Sequence, residues 1–364
     1  MPDIQSSRPA HLREAKLQKV VAVLYFCVAG VMALHCYRNS MLDIDLLGYA
    51  GNVALNDTGS VVEAHRIVYG ETLTPHLRGL DSDDLQALIL RHRAVDPYYS
   101  SLYLPYFSIK PLYLIALEAV NKLGLNVVDA SRALSALSYF GIAVMAWIWT
   151  RSLLSLLIIV LPEVMLLGQA NEPDGLSAAL LLFALWLLFS RENDWGLLPL
   201  LLTVWVRPEN LLLCLIVIGI LVADKRLAIP RAAIVLLLAF GSQALISHYA
   251  YGWRDLYYHT FLGGEPGTLA KFGWRDYVRA LSKGGNDVLH SSVPVFLLLG
   301  LVCFALENAG FRKVIGIAFC FSVVRFAVFP SYEPRYYALF FLITAIAAVT
   351  SYQGIPFLAP RCDK

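Results

Sequence analysis

Asp43 and Asp45 stand two residues apart in the segment MLDIDLLGYA (residues 41–50), directly after the first apolar run. On extended backbone, acids at that spacing can share one site. On a helix about 200° of rotation separates them, and one alone faces a cavity. Either carboxylate there could accept a proton from an attacking hydroxyl or help hold a divalent metal. An ordinary helix start explains the same residues, because Asp is favoured at the N-cap and in the first turn.

Further polar clusters sit at or near the ends of apolar runs. They are Asn171-Glu172-Pro173-Asp174, Arg207-Pro208-Glu209, His259 with Glu265, and Glu333-Pro334-Arg335. Glu172 and Asp174 are either a helix start around Pro173 or an acidic contribution to a cavity. Arg207 and Arg335 differ in kind, since a guanidinium grips phosphate with two parallel hydrogen bonds and stays charged. An arginine at a membrane boundary can also just snorkel. Beside a helix-breaking proline, and facing acids, it suits phosphate binding better. Lys110 and Arg132 are further candidates.

These side chains need a scaffold, and composition says which kind. The chain is 58% hydrophobic and 15% charged, with a mean hydropathy of +0.61. Soluble domains carry about 25% charged residues. The sequence predicts a single all-α polytopic transmembrane domain over residues 1–364, with about ten spans of roughly 20 residues. The apolar runs are 20–36, 133–150, 152–168, 176–190, 196–206, 210–223, 231–247, 293–307, 312–329 and 336–350. The net charge of +2 gives no reason to expect a nucleic-acid partner. The 6 cysteines have neither zinc nor disulfide spacing and read as inert thiols. The basic segment Arg8, Arg13, Lys16, Lys19 before the first run reads as an uncleaved anchor with a cytoplasmic N-terminus.

Segment 111–123 (PLYLIALEAVNKL) is too short and polar for a confident span. Leu112, Ile115, Ala119 and Leu123 suggest one apolar stripe, so it reads as an amphipathic helix in the interface. With it lying flat, Arg151, Arg191, Lys225, Arg226, Arg231, Arg312, Lys313, Arg361 and Lys364 fall on the cytoplasmic side. The short outer connections then keep only Arg207 and Arg335, as the positive-inside rule requires. If 111–123 spanned, that agreement would be lost. Two long outer loops follow, 37–132 and 248–290. The first carries a capping box at Ser60–Glu63, a helix end at Gly70, a second helix from about Asp81, and an aromatic- and proline-rich stretch from Asp96. The second is rich in Tyr, Trp and Gly.

The ordered elements resemble the GT-C superfamily of polyprenyl-phosphate-sugar glycosyltransferases, which includes protein O-mannosyltransferases and lipid A aminoarabinose transferases. The resemblance covers nearly the whole chain. It rests on MLDIDLLGYA opening a long outer loop, KPLYLIALEAVNKLGLNVVDASRAL before the second span and NEPDGLSAALLLFALWLL at a later one. The broken pair with VRPENLLL and the final SYEPRYYALFF complete it. The chain departs from better-known members in lacking a second proline after Lys110 and a large soluble C-terminal domain.

The resemblance implies an acid, Asp43 or Asp45, acting on the acceptor. It places Arg132 near the second span and Arg207 or Arg335 near the donor phosphate. Glu172, Asp174, Glu209 and His259 would line the substrate site. The donor would be an undecaprenyl- or dolichyl-phosphate-linked sugar. The acceptor would be a lipid, glycan or protein, and the anomeric centre would invert at the extracytoplasmic face, as of a bacterial inner membrane. No tightly held cofactor is expected, although Asp43 and Asp45 leave a divalent ion (Mg or Mn) open. The rival from another class is a transporter or flippase, since secondary transporters also use broken helices. A membrane scaffold and a lipid-linked polysaccharide polymerase fit less well. The first would need no converging acids and arginines, and the largest loop here directly follows the first span.

Overall fold

The structure, a computed structural model, describes residues 8–41, 44–70, 94–250 and 273–353. Among the described residues every regular element is helical and there is no strand. The elements are α1 (Arg8–Arg38), α2 (Ile44–Thr58), α3 (Val61–His65), α4 (Pro97–Ser101), α5 (Leu104–Phe107), α6 (Pro111–Asn121), α7 (Val127–Thr150), α8 (Pro162–Gln169) and α9 (Asp174–Leu185). They continue with α10 (Leu197–Val206), α11 (Asn210–Ala223), α12 (Ile229–Tyr249), α13 (Trp274–Leu289), α14 (Val293–Leu306), α15 (Ala309–Val328) and α16 (Ala338–Gln353).

Among the described residues, 4 helical stretches are long and apolar enough to cross a bilayer: Leu17–Arg38, Val127–Thr150, Ile229–His248 and Pro334–Tyr352. Their 19 to 24 residues match a hydrocarbon core about 30 Å thick. The number rises to 6 if each of two bent pairs is one span: α8 with Asp174–Ser190, bent by 118°, and α13 with α14, bent by 69°. Pro111–Asn121, Asp194–Val206 and Asn210–Ala223 are shorter apolar helices. Val20, Val23 and Val31 on α1, Leu237 and Leu238 on α12, and Val295, Leu298 and Leu301 on α14 all face outward. Contiguous apolar surface of that extent suits lipid contact.

Helix α7 is the hub and packs against α1, α6, α8 and α9. Helix α9 then meets α10 and α16, and α16 meets α14 and α15. Two tyrosine hydroxyls inside this core find backbone acceptors. Tyr25 Oη donates to Ala143 O at 2.8 Å, and Tyr139 Oη to Ile159 O at 2.6 Å. Such bonds lock helices together where lipid is as apolar as the core.

A second apolar cluster joins α2, α3, α5, α6 and the start of α7 around Leu46, Tyr49, Phe107, Tyr113 and Leu117. Gly48 is required here. A Cβ on it would lie 2.2 Å from the Phe107 ring, so only glycine lets α5 rest on α2.

Three expectations for the two outer loops change in detail. Ser60 caps α3 by accepting from the Glu63 N–H, but Glu63 does not reach back to close the box. Its carboxylate binds Arg66, with Nε at 2.9 Å, because a charged partner one turn on outcompetes a neutral amide. On α6 the buried face is Tyr113, Leu114 and Leu117, whereas Ile115 and Leu123 of the expected stripe face outward. The second cluster takes the face of Tyr113, Leu114 and Leu117, and the outward side mixes Ile115 with the Glu118–Lys122 ion pair. Within 248–290, Trp274–Leu289 is a helix, with Tyr277, Leu281 and Val288 recurring at helical spacing. The helix expected from about Asp81 lies outside the described residues.

Candidate functional site

The structure brings four distant breaks together. Asp45 sits in the first turn of α2, and Pro173 leads straight into α9 at Asp174. Arg207 ends α10 in extended conformation (φ −144, ψ 109) and Glu209 precedes α11. Arg335 lies in the turn Pro334–Tyr337 ahead of α16. A proline follows or precedes the charged residue at three of these breaks, so the helix stops and its end becomes free to hold side chains.

Arg335 is the centre of one half. Its guanidinium donates to Asp45 Oδ2 at 2.9 Å and is ion-paired with Glu172 and Glu333. Arg207 is the centre of the other half. It pairs with Asp174, and its Nε donates to Glu209 Oε1 at 2.7 Å. Asn210 ties the second half to the scaffold, donating to Ser177 Oγ at 2.8 Å and to Thr203 O at 3.1 Å. Gly175 allows the close packing behind Asp174. A Cβ there would lie 2.8 Å from Leu167 O and 3.2 Å from Ser138 Cβ.

Tyr336 joins the halves. The guanidiniums of Arg207, Arg325 and Arg335 lie 5.2, 3.4 and 5.2 Å from its ring centroid. An aromatic face attracts cations, which offsets part of their mutual repulsion. Lys110 comes from the N-cap of α6. It hydrogen-bonds to Tyr49 Oη, and Tyr49 is itself held edge-on by Phe107 and Tyr113. Beside Arg207 and reaching Arg335 lies an open cavity of about 350 Å³ including the solvent at its mouth, with Asp45 and Glu172 outside its lining. Its polar lining includes Asp174, Ser177, Arg207, Glu209, Asn210, Arg325, Arg335 and Tyr336, and its apolar lining Leu181, Phe321 and Leu339.

The charges act on one another. Burial alone would raise the Asp45 carboxyl, but the Arg335 and Lys110 cations outweigh it and hold the group at about 2. Glu209 is held at about 2 in the same way, with Arg207 and Arg325 outweighing burial. Burial, helped by Arg207, pulls the Lys110 ammonium down to about 8. The acids are therefore anionic acceptors at neutral pH, and the arginines are forks aimed at anions.

Asp45, Glu172, Asp174, Arg207, Glu209 and Arg335 thus share one place. Arg132 does not join them. It pairs with Asp129 at 3.1 Å, one turn back on α7, because its neighbour on the same helix face satisfies it. Asp43 and His259 lie outside the described residues. Sequence reasoning missed Arg325 and Tyr336. The signal for Arg325 was available, since an arginine inside an apolar run needs a partner or a cavity. Tyr336 carried no signal, because SYEPRYYALFF offers several aromatics and only the fold selects one.

No family model, curated protein or solved structure matches this chain.

Among the described residues, no group of three or more His, Cys, Asp or Glu side chains could hold a metal ion. The Asp45 carboxylate is committed to Arg335, and Asp43, the other candidate for a divalent ion, lies outside the described residues. The arrangement can instead bind an oxyanion and present carboxylates to a hydroxyl.

Proposed function

We propose that this protein is an integral membrane glycosyltransferase of GT-C type that moves a sugar from a polyprenyl-phosphate donor to an acceptor hydroxyl at the extracytoplasmic face. The observation that carries the proposal is the convergence of Asp45, Glu172, Asp174, Arg207, Glu209 and Arg335 in one charged cluster joined through Tyr336, of which Asp174, Arg207, Glu209 and Arg335 line a cavity. The proposed topology has about ten traversals, with α8, α9, α10, α11, α14 and α15 counted beside the four long stretches and α6 lying flat, and a cytoplasmic N-terminus. It draws support from the far ends of α9 and α11. Arg226 bonds Leu188 O there, and Lys313 pairs with Asp224. Those cations lie roughly 20–25 Å along the helices from Asp174 and Asn210, at 1.5 Å per residue. The basic end and the candidate site are therefore at opposite ends of the bundle.

In this reaction the acceptor oxygen attacks the anomeric carbon and the bond from that carbon to the phosphate oxygen breaks. Arginine stabilises the leaving phosphate as its charge develops. A carboxylate takes the acceptor proton. Asp45 is the candidate base. While Arg335 holds it, it is a weak one, and a phosphate that engages Arg335 would return it toward its ordinary basicity. A phosphate leaves more readily than a sugar hydroxyl, so no second carboxylate is needed as acid.

The test uses full-length protein in nanodiscs with polyprenyl-phosphate-linked hexoses and pentoses, scoring release of polyprenyl phosphate. Asp45→Asn should lower transfer on the order of 100-fold or more. Wild-type rates in folded Asp45→Asn and Arg335→Ala would remove the proposed site. The 118° break between α8 and α9 at Asn171–Pro173 favours one other reading, a lipid-linked-substrate flippase. Movement of a labelled lipid-linked sugar across proteoliposomes, without cleavage, would decide for it.

A further inference from the structure

Arg325 is the odd member of the cluster. It lies in the last turn of α15 and is 5% exposed, and its Nη1 is buried without a hydrogen-bond partner among the described residues. Arg207 and Arg335 each hold at least two carboxylates. Arg325 has none within 4.0 Å among the described residues. Its guanidinium lies flat enough on Tyr336, at 3.4 Å from the centroid, to occupy one face of the group. Stacking uses that face and leaves the in-plane N–H groups for an acceptor. A buried, uncompensated charge is costly and persists where a ligand completes it.

We infer that Arg325, seated on Tyr336, anchors a buried oxyanion site whose ligand is a phosphate group. This deepens the transferase reading, on which the choice of phosphate rests. The geometry supports a multiply charged tetrahedral anion over a carboxylate. Two further guanidiniums lie within 5.2 Å of the same ring, each already holding two or more carboxylates. A phosphate can offer oxygens to more than one fork at once. The lining beyond Arg325 is apolar at Leu181, Phe321 and Leu339, which suits an isoprenoid stem next to the phosphate. A free phosphate shares the charge chemistry but makes no use of that lining.

The experiment measures equilibrium binding of two probes, inorganic phosphate and a sugar-free polyprenyl monophosphate, to the full chain in nanodiscs without anionic lipid. Arg325→Met should weaken binding of the bound probe on the order of 10- to 100-fold, as expected for losing a charge-assisted hydrogen bond. It should leave the unliganded protein as heat-stable as wild type or more so, because an unpaired charge has gone. Arg325→Lys keeps the charge without the fork and should bind several-fold more weakly than wild type. Saturation by the lipid probe alone identifies a headgroup site, and equal saturation by both identifies a free-anion site. Binding within twofold of wild type in both variants overturns the site, as does absence of saturable binding in wild type. The two readings separate cleanly. Arg325-dependent binding without transfer from any donor keeps the site and sinks the transferase. Transfer undiminished in Arg325→Met does the reverse.

Discussion

Replacing Arg335 with methionine should destabilise the protein by about 3–5 kcal/mol at neutral pH, the range for removing one partner of a buried ion pair. The three carboxylates it leaves behind do not contribute equally. Glu333 has a side chain 43% exposed, so its loss is worth about 1 kcal/mol or less. Asp45, at 27%, is partly watered and sits at the low end of the buried range. Glu172, at 8%, keeps its charge in the interior with its main cation gone and carries most of the penalty. Two corollaries follow. The double variant Arg335→Met with Glu172→Gln should recover a large part of the loss, since the stranded charge is removed with its partner. The gap to wild type should also narrow on acidification. In wild type Asp45 is held below its ordinary value of 3.8, so the pair's contribution is present above that value and is lost as pH falls through about 2. Without Arg335, burial pushes both acids upward. The variant then gains relative stability as it takes up protons below neutrality. The assay is reversible unfolding in mixed micelles, followed by tryptophan fluorescence from pH 5 to 8. A loss under 1 kcal/mol that is insensitive to pH and to Glu172→Gln would refute the claim that Arg335 neutralises this half of the site.

Lys110 gives a second pH signature. Its folded value of about 8 lies below the ordinary 10.5, so between those limits the unfolded chain holds a proton that the folded chain has released. Stability should therefore rise with pH across that window, and Lys110→Met should flatten the rise; an identical slope in the variant would show that another group titrates there. Gly175→Ala should cost about 1–3 kcal/mol, because the new methyl meets Leu167 O at 2.8 Å and a backbone carbonyl cannot step aside. Gly219→Ala, with open space around it, should be neutral or slightly stabilising, and equal losses at both positions would discount the packing explanation.

The apolar runs were readable because lipid-facing helices need long uncharged stretches. Leu17–Arg38, Val127–Thr150 and Ile229–His248 follow those runs closely. Run 152–168 was misleading in length. Ser152, Ser155 and Pro162 cap or restart short turns there, so a continuous apolar stretch becomes a chain of short helices ending in α8. The helix α13 was hidden for the opposite reason. Its Arg275, Arg279, Lys283 and glycines lower its hydropathy, while its apolar residues still recur at helical spacing. In the site, Glu172, Asp174, Arg207, Glu209 and Arg335 were legible because charge beside a helix-breaking proline at a run's end demands a reason, and Asp45 because paired acids directly follow the first apolar run. Which acid meets which arginine was not legible. Asp45 and Arg335 are 290 positions apart, and only the packing of α2, α8 and α16 around α7 sets their distance.

Stability alone does not account for this much buried charge. Lys110, Arg207, Arg325 and Arg335 face Asp45, Glu172, Asp174 and Glu209, and Glu333 adds a fifth, more exposed acid. Well-packed apolar residues in place of such pairs are often as stable or more so. The balance has a chemical consequence for the transferase proposal. A phosphate entering a cluster with no excess of cations adds negative charge that some group must accommodate. Arg325 takes part of it, and Arg335 can take more only by loosening its hold on Asp45. Any donor that draws on Arg335 therefore makes Asp45 more basic in the same event. The cluster then couples arrival of the leaving group to readiness of the base, whereas a site whose base carboxylate had no arginine partner would bind phosphate and leave that carboxylate's basicity unchanged.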